Sequence, residues 1–478
     1  MRTHWVKRIR CGIGAVLMLA ATWPAWGQCK ELADTGCTDL TSSKWQGTMV
    51  HHQLEPSARN DLIDLEQDPA VGTQFWPGLH YWVYVGREAV GKKSPSLLIY
   101  IHGTNQNPEK AARGVRWNEF ADTRGFVVLY PMGQSGDNWG WGSATAYGHG
   151  AGELQAVARI TAEVHAIYGT NPKRTYVTGI SSGAITATML GAMYTELYRA
   201  VGSFLGGSYN LSDPTGAQAY AAMKMQRADG TTGVPKVTPA FLVHGTLDYI
   251  FTPPLSHQAD TQWVGTNDLA DNGSADGSIS LTPAIDDSHR FVAPAPAGGT
   301  DVCLRNYNNP CTADVLGYAE YPYEIHRYKD QFGAGRTIVE SWWIHGLSHN
   351  YPYGDAQDPG ANYTDPAGPD MRPPMFDFFE GLNVPPSAAD DAATTRKGAA
   401  VSIDVVANDA DSDNDELAIA SVSQPANGSV KRDGAKVTYA PRLGFKGRDS
   451  FSYTVADGHG GTAAAQVTVC VTNAGYGC

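Results

Sequence analysis

Seven short runs of strand-forming residues stand out, several of them apolar almost throughout: HYWVYV from His80, SLLIYI from Ser96, FVVLYP from Phe126, RTYVTG from Arg174, AVGSFLGG from Ala200, PAFLVHG from Pro239 and TIVESWWI from Thr337. A strand with one wet face alternates apolar and polar residues, so runs like these fit strands covered on both faces. Two segments long enough for helices, GELQAVARITAEVHAIYG and AITATMLGAMYTELYRA, fall between them. Strand, helix, strand in this rhythm predicts an α/β domain with a mostly parallel sheet.

The pattern stops after FDFFEGLNV. From Pro385 the chain has short alternating runs separated by Asn-Gly, Asp-Gly and Gly-Gly turns, with almost no helical period. Such closely spaced turn signals predict a small all-β sandwich. A chain of 478 residues is long for one domain. The expected division is a leader over 1–27, an α/β domain over 28–383 and a β-module over 384–478.

The leader is read from a basic MRTHWVKRIR, an apolar CGIGAVLMLAATWPAWG and a small-residue ending at Gly27. That order describes a secretory signal cut before Gln28. A retained membrane anchor is the competing reading, but the apolar run is shorter than the roughly 20 residues a spanning helix needs. The expected location is extracellular, with the periplasm as the alternative. Outside the leader stand Cys29 and Cys37, Cys303 and Cys311, and Cys470 and Cys478. An even number in an oxidising compartment predicts local disulfides, with pairing inside each couple as the economical arrangement and connectivity left open. No C-x-x-C or H-E-x-x-H pattern supports a zinc site. The formal net charge is −13, and losing Arg2, Lys7, Arg8 and Arg10 with the leader makes the remainder more acidic. Without a basic stripe, nucleic acid and anionic membranes are poor partners.

Chemistry concentrates at YVTGISSGAI. Gly179, Ile180, Ser181, Ser182 and Gly183 satisfy G-x-S-x-G where a predicted strand gives way to a predicted helix. A turn that sharp strains its central residue and leaves the Ser181 side chain above the sheet, while the flanking glycines permit the crowding. The next helix also aims its positive end at that point. A serine hydroxyl needs a histidine to take its proton and a carboxylate to orient that histidine. Asp248 follows the PAFLVHG strand, and His349 follows the TIVESWWI strand, giving the order Ser, acid, His. Asp248 could instead cap its turn, with Asp260, Asp268 and Asp271 of the same loop as rivals. His345 is the rival base. Two backbone donors are expected for the oxyanion, the N–H of Ser182 and that of Thr104 in the His102-Gly103-Thr104 loop after an early strand.

These residues, together with YPMGQSGDNWGWG, LVHGTLDYIFTP, HQADTQW and GLSHNYP, make the stretch from about 75 to 380 resemble the secreted polyhydroxybutyrate depolymerase family of esterases, relatives of feruloyl and acetylxylan esterases. The resemblance implies an α/β-hydrolase fold, with Ser181 as nucleophile, Asp248 as orienting acid, His349 as base, and Thr104 with Ser182 as oxyanion donors. Trp139 and Trp141 match a tryptophan-containing segment of the family, where they would line an acyl site; a packing role is the alternative. Two departures stand out. The family commonly has Cys at the position of Thr104, and a Gly-His followed by Trp where this chain has Ser348, His349, Asn350 and Tyr351, which would reshape the acyl pocket.

The tail resembles bacterial cadherin-like or Ig-like modules through ANDADSDND and GFKGRDSFSYTVADGHGG. Its Asp409, Asp411, Asp413 and Asp415 fail as an EF-hand, with Asn414 at the glycine position and Ala420 at position twelve. Calcium between strand loops is one reading of this run, a solvated acidic turn the other. The expected function is a secreted serine esterase acting on polyesters through an acyl-enzyme without a required cofactor. A feruloyl or acetyl esterase and an inactive hydrolase-fold adhesion protein are the alternatives.

Overall fold

The computed structural model describes residues 42–53, 80–133, 139, 152–209, 213–225, 232–289, 321–331, 335–354, 364–366, 368–411, 417–458 and 460–473. The proposed leader, Cys29, Cys37, Trp141, Cys303, Cys311, Asp413, Asp415 and Cys478 lie outside the described residues.

Ten strands form one sheet: β1 (Thr48–Gln53), β2 (His80–Val85), β3 (Leu97–Ile101), β4 (Val127–Pro131), β5 (Thr175–Ile180), β6 (Ala200–Phe204), β7 (Ala240–Gly245), β8 (Ala284–Asp286), β9 (Tyr323–Lys329) and β10 (Thr337–Ile344). Their spatial order is β1-β2-β4-β3-β5-β6-β7-β10-β9-β8. The centre, from β4 to β10, is parallel. Both flanks are antiparallel, so the sheet is mixed, more so than the apolar runs alone predict.

Alternation along the central strands explains the two-sided burial. Leu97, Ile99, Ile101, Val177 and Leu242 enter one core with α3 (Gly152–Tyr168), α4 (Ser182–Met193) and α6 (Pro253–Asn272). Leu98, Tyr100, Tyr176, Phe241 and Val243 enter the other with α1 (Pro108–Gly114), α2 (Trp117–Arg124) and α7 (Arg372–Glu380). Successive residues of a strand point to opposite faces, so a run apolar at every position serves both layers. Each such side chain contributes about 1.5–3 kcal/mol by leaving water. A further short helix, α5 (Ala217–Met223), packs on α4 and α6.

Helix α7 seals the second layer by stacking Phe376 on Phe126 (ring centroids 4.3 Å apart) and Phe379 on Tyr176 (4.8 Å). Its last residue, Glu380, accepts from Ser96 Oγ (2.7 Å) and Arg174 Nη1 (2.6 Å) at the feet of β3 and β5. Beyond a two-residue pair, β11 (Tyr351–Pro352) with β12 (Thr364–Asp365), the remaining strands are β13 (Asp391–Arg396), β14 (Val401–Ile403), β15 (Ala418–Val422), β16 (Gly428–Asp433), β17 (Lys436–Pro441), β18 (Gly447–Ala456) and β19 (Thr462–Thr472). They form a four-stranded sheet, β13-β19-β18-β15, and a three-stranded sheet, β14-β17-β16. Val437, Tyr439, Phe451, Tyr453, Val455, Val467 and Val469 fill the space between them. Gly434, at φ 60°, makes the tight β16–β17 hairpin that the Asp433-Gly434 pair predicts. Asn383 touches both parts of the chain: its Oδ1 accepts from Arg174, and its Nδ2 donates to Asp457 Oδ2 (2.6 Å). Cys470 is disulfide-bonded.

Candidate active site

Ser181 sits between β5 and α4 with φ 57° and ψ −124°, a conformation that a side chain adopts only when its surroundings enforce it. The enforcement is visible in the glycines on either side. A Cβ on Gly179 would lie 2.5 Å from the Gly183 carbonyl oxygen and 2.6 Å from that of Ile101. One on Gly183 would lie 2.3 Å from the carbonyl oxygens of both His102 and Ile101. The turn therefore closes against the end of β3, and only glycine fits twice. The Ser181 N–H donates to the Phe204 carbonyl (3.0 Å), fixing the bend to β6 as well.

His349 and Asp248 reach this serine from the ends of β10 and β7. Ser181 Oγ lies 2.9 Å from His349 Nε2, and His349 Nδ1 lies 2.9 Å from Asp248 Oδ2. With the Nδ1–H donating to the carboxylate, Nε2 is left to accept the serine hydroxyl proton. Asp248 is 3% exposed and His349 8%, so water competes little for these bonds. Asp248 also does what its turn asked of it: Oδ1 accepts from the N–H groups of Ile250 (2.8 Å) and Phe251 (2.9 Å). Capping and holding the imidazole are thus compatible, one oxygen for each. The two loops are stitched together, with Thr246 N–H donating to Ile344 O (3.1 Å), Leu247 N–H to Leu347 O (3.1 Å) and Gly346 N–H to Thr246 Oγ1 (2.9 Å).

The rivals go elsewhere. His345 directly follows β10, and its Nε2 lies 3.8 Å from Glu324 Oε2 on β9. Asp260 and Asp268 belong to α6 rather than to a loop, as does the exposed Asp271. Asp260 bonds to His244 and Ser341, and Asp268 accepts from Ser278 and Ile279.

Ser182 opens α4, so its N–H has no carbonyl one turn earlier within the helix. Thr104 stands against it, its hydroxyl donating to Ser182 Oγ (2.9 Å). The loop bearing Thr104 is held by groups that sequence reasoning missed. Gln106, 2% exposed, accepts the Gly103 N–H through Oε1 (2.9 Å) and returns its own N–H to the Gly103 carbonyl (3.1 Å). Trp139 is a correction: it is 3% exposed, packs in the first core layer and donates its indole N–H to the His102 carbonyl (2.9 Å). An indole with its polar edge spent on the main chain braces a loop and offers little to a substrate. Tyr351 likewise joins the core instead of lining a pocket, 1% exposed with its ring 4.6 Å from Phe204, and burial holds its phenol well above the ordinary value. Tyr249 and Phe251 flank His349 with centroids at 6.3 and 5.8 Å; the only signal for them was two aromatics within three residues of Asp248.

In the module, both oxygens of Asp409 take the Tyr453 hydroxyl (2.9 and 3.2 Å), and Oδ1 also takes the Ala389 N–H (2.9 Å). That carboxylate braces strands.

A doubly covered sheet with this serine at the β5–α4 bend defines an α/β-hydrolase fold. Residues 79–280 match the family described as Esterase PHB depolymerase, and residues 383–470 match the bacterial Ig domain. Poly(3-hydroxyalkanoate) depolymerase C of Paucimonas lemoignei is 27% identical over 286 residues, 57% of this chain and 58% of that protein. The bifunctional acetylxylan esterase/xylanase XynS20E of Neocallimastix patriciarum is 30% identical over 152 residues, 32% of this chain and 19% of that one. The chain thus spans less than two thirds of the length of either. Among solved structures, an acetyl xylan esterase from Aspergillus awamori is similar at 16% identity and a TM-score of 0.42, covering 63% of this chain and 94% of that one. Among the described residues, no helix is long and apolar enough to cross a membrane.

Proposed function

We propose that this protein is an exported carboxylic ester hydrolase that works through an acyl-enzyme on Ser181. The observation that carries the reading is the hydrogen-bonded chain from Ser181 Oγ through His349 to Asp248, each step 2.9 Å. His349 takes the hydroxyl proton as the serine oxygen attacks the ester carbonyl, and Asp248 keeps the imidazole in the tautomer that can accept it. The N–H groups of Ser182 and Thr104 stabilise the oxyanion. The imidazolium then protonates the departing alcohol, and a water activated by the same base releases the acid. Side chains, main chain and water suffice, so no cofactor is required. Residues 28–383 carry the reaction, and the module over 384–478 is an appendage to it.

The substrate class we favour is a poly(3-hydroxybutyrate)-type polyester or its oligomers, supported by the family match and the named depolymerase relative. The second reading, an acetylxylan or feruloyl esterase, rests on the relatives so named. Incubating the purified full chain in parallel with poly(3-hydroxybutyrate), acetylated xylan and methyl ferulate separates them. Release of 3-hydroxybutyrate well above that of acetate and ferulate is the expected result; the reverse order replaces the polyester with the polysaccharide ester. A Ser181→Ala chain that still hydrolyses these substrates would remove the serine mechanism altogether.

A further inference from the structure

Tyr249 is 44% exposed, one of few large apolar side chains on the described surface, and it stands immediately beside the group that would protonate a leaving alcohol. Its ring centroid lies 6.3 Å from the His349 imidazole, with the two planes inclined at 65°. The position is held from below. Asp248 Oδ1 binds the N–H groups of Ile250 and Phe251, the Asp248 N–H returns to the Gly245 carbonyl (3.1 Å), and Phe251, 6% exposed, packs on the imidazole at 5.8 Å. The turn that orients the carboxylate therefore also fixes where the Tyr249 ring is presented. An exposed aromatic on a braced backbone loses little conformational freedom when something packs on it.

We propose that Tyr249 is a substrate-contacting residue that reads the alcohol side of the ester. The assignment rests on the acyl-enzyme reading and follows from the direction of proton transfer. When the carbonyl–oxygen bond breaks, its electron pair goes to the alcohol oxygen, which receives the proton from His349 Nε2. The alcohol therefore departs past the imidazole, while the acyl group stays bonded to Ser181 Oγ. A ring at the exposed border of the imidazole meets the alcohol portion: an apolar or aromatic leaving group, or the carboxyl-ward segment of a polyester chain, for which a tyrosine offers a flat apolar face and a hydroxyl that can donate to the next ester carbonyl.

The test uses the full chain and two ester series, one with butyrate as the common acid and methanol, 4-methylumbelliferone and methyl 3-hydroxybutyrate as the alcohols, the other with one alcohol and acids of increasing length. Tyr249→Ala is expected to lower kcat/KM by about tenfold on the bulky alcohols, chiefly through KM, and by less than about threefold on methyl butyrate. Across the acid series its effect should be constant. Tyr249→Phe should recover the umbelliferyl ester and leave a deficit on the 3-hydroxybutyrate ester, whose carbonyl loses the phenol donor. A loss equal for all alcohols, a loss that tracks the acid, or no loss at all each overturns the assignment. A wild-type chain whose ester hydrolysis does not depend on Ser181 removes the parent mechanism as well, and the Ser181→Ala control tells that failure from the others. Because the ring is half-exposed, an unchanged melting temperature should accompany the kinetic effect.

Discussion

Two groups of one serine, one histidine and one aspartate lie within hydrogen-bonding reach in the same α/β domain, and they are wired in opposite ways. In the first, the imidazole of His349 is central, between Ser181 Oγ and Asp248 Oδ2, each at 2.9 Å. In the second, the carboxylate of Asp260 is central, accepting from Ser341 Oγ (2.9 Å) at one oxygen and bonding His244 Nε2 (2.8 Å) at the other. The second group is almost sealed: Ser341 is 0% exposed and both partners are 1% exposed. A hydroxyl that already gives its proton to a carboxylate has no base poised to make it a nucleophile, and nothing can reach it. The same three residue types thus set a base against a hydroxyl when histidine bridges at the mouth of the sheet. They make a structural strut, tying α6 to β7 and β10, when aspartate bridges inside it.

The largest effect should separate the two serines. Ser181→Ala is expected to lower turnover on a p-nitrophenyl ester by on the order of 10⁴ or more with the fold retained, and His349→Ala by a similar factor. Ser341→Ala should leave turnover within about twofold. Comparable losses from both serines would break the distinction drawn from connectivity.

The two aspartates sharpen it. Asp248→Asn keeps an oxygen for the Ile250 and Phe251 amides but can present an N–H to His349 Nδ1, favouring the wrong tautomer; a fall in kcat of about 10³–10⁴ is expected with little change in stability. Asp260→Asn should do the converse, costing about 2–4 kcal/mol of unfolding free energy because two sealed partners lose a charged acceptor, while the folded fraction keeps most of its kcat. Denaturant titration beside steady-state kinetics reads both. An Asp260→Asn chain that is stable but inactive would make the strut part of the site.

What the amino-acid sequence disclosed follows this same division. The bend at Ser181 was legible because its requirements are local: two glycines with no room for a Cβ, a strand before and a helix after. Asp248 was legible as the first carboxylate behind β7. The choice of His349 over His345 leaned on where β10 was expected to stop, and what His345 finds across it was not legible. That partner, Glu324, lies on β9, whose YEIHRYK is too mixed in polarity to announce a strand. Edge strands β1 and β8 were hidden for the same reason, one wet side diluting the apolar signal. For Trp139 the resemblance left an acyl-site and a packing role both open, because a motif cannot show that the indole N–H is spent on the His102 carbonyl. The strut was invisible: Asp260, eight residues into α6, reads as an ordinary polar helix position until the fold brings β7 and β10 against it.

The smallest effect belongs to His345, and it tests whether nearness in sequence matters once the wiring is known. Only four positions separate it from His349, yet its imidazole turns to Glu324 at 3.8 Å, with 27% and 18% of the two side chains exposed. A partly hydrated contact of that length contributes at most about 1 kcal/mol. His345→Ala should therefore shift unfolding slightly and change kcat by less than about twofold. Its neighbour's substitution should leave stability nearly intact and abolish turnover. Were His345→Ala the inactive variant, the proton from Ser181 would have to travel by a route that the His349–Asp248 bond does not supply, and the assignment of the base would pass from one loop residue to the other.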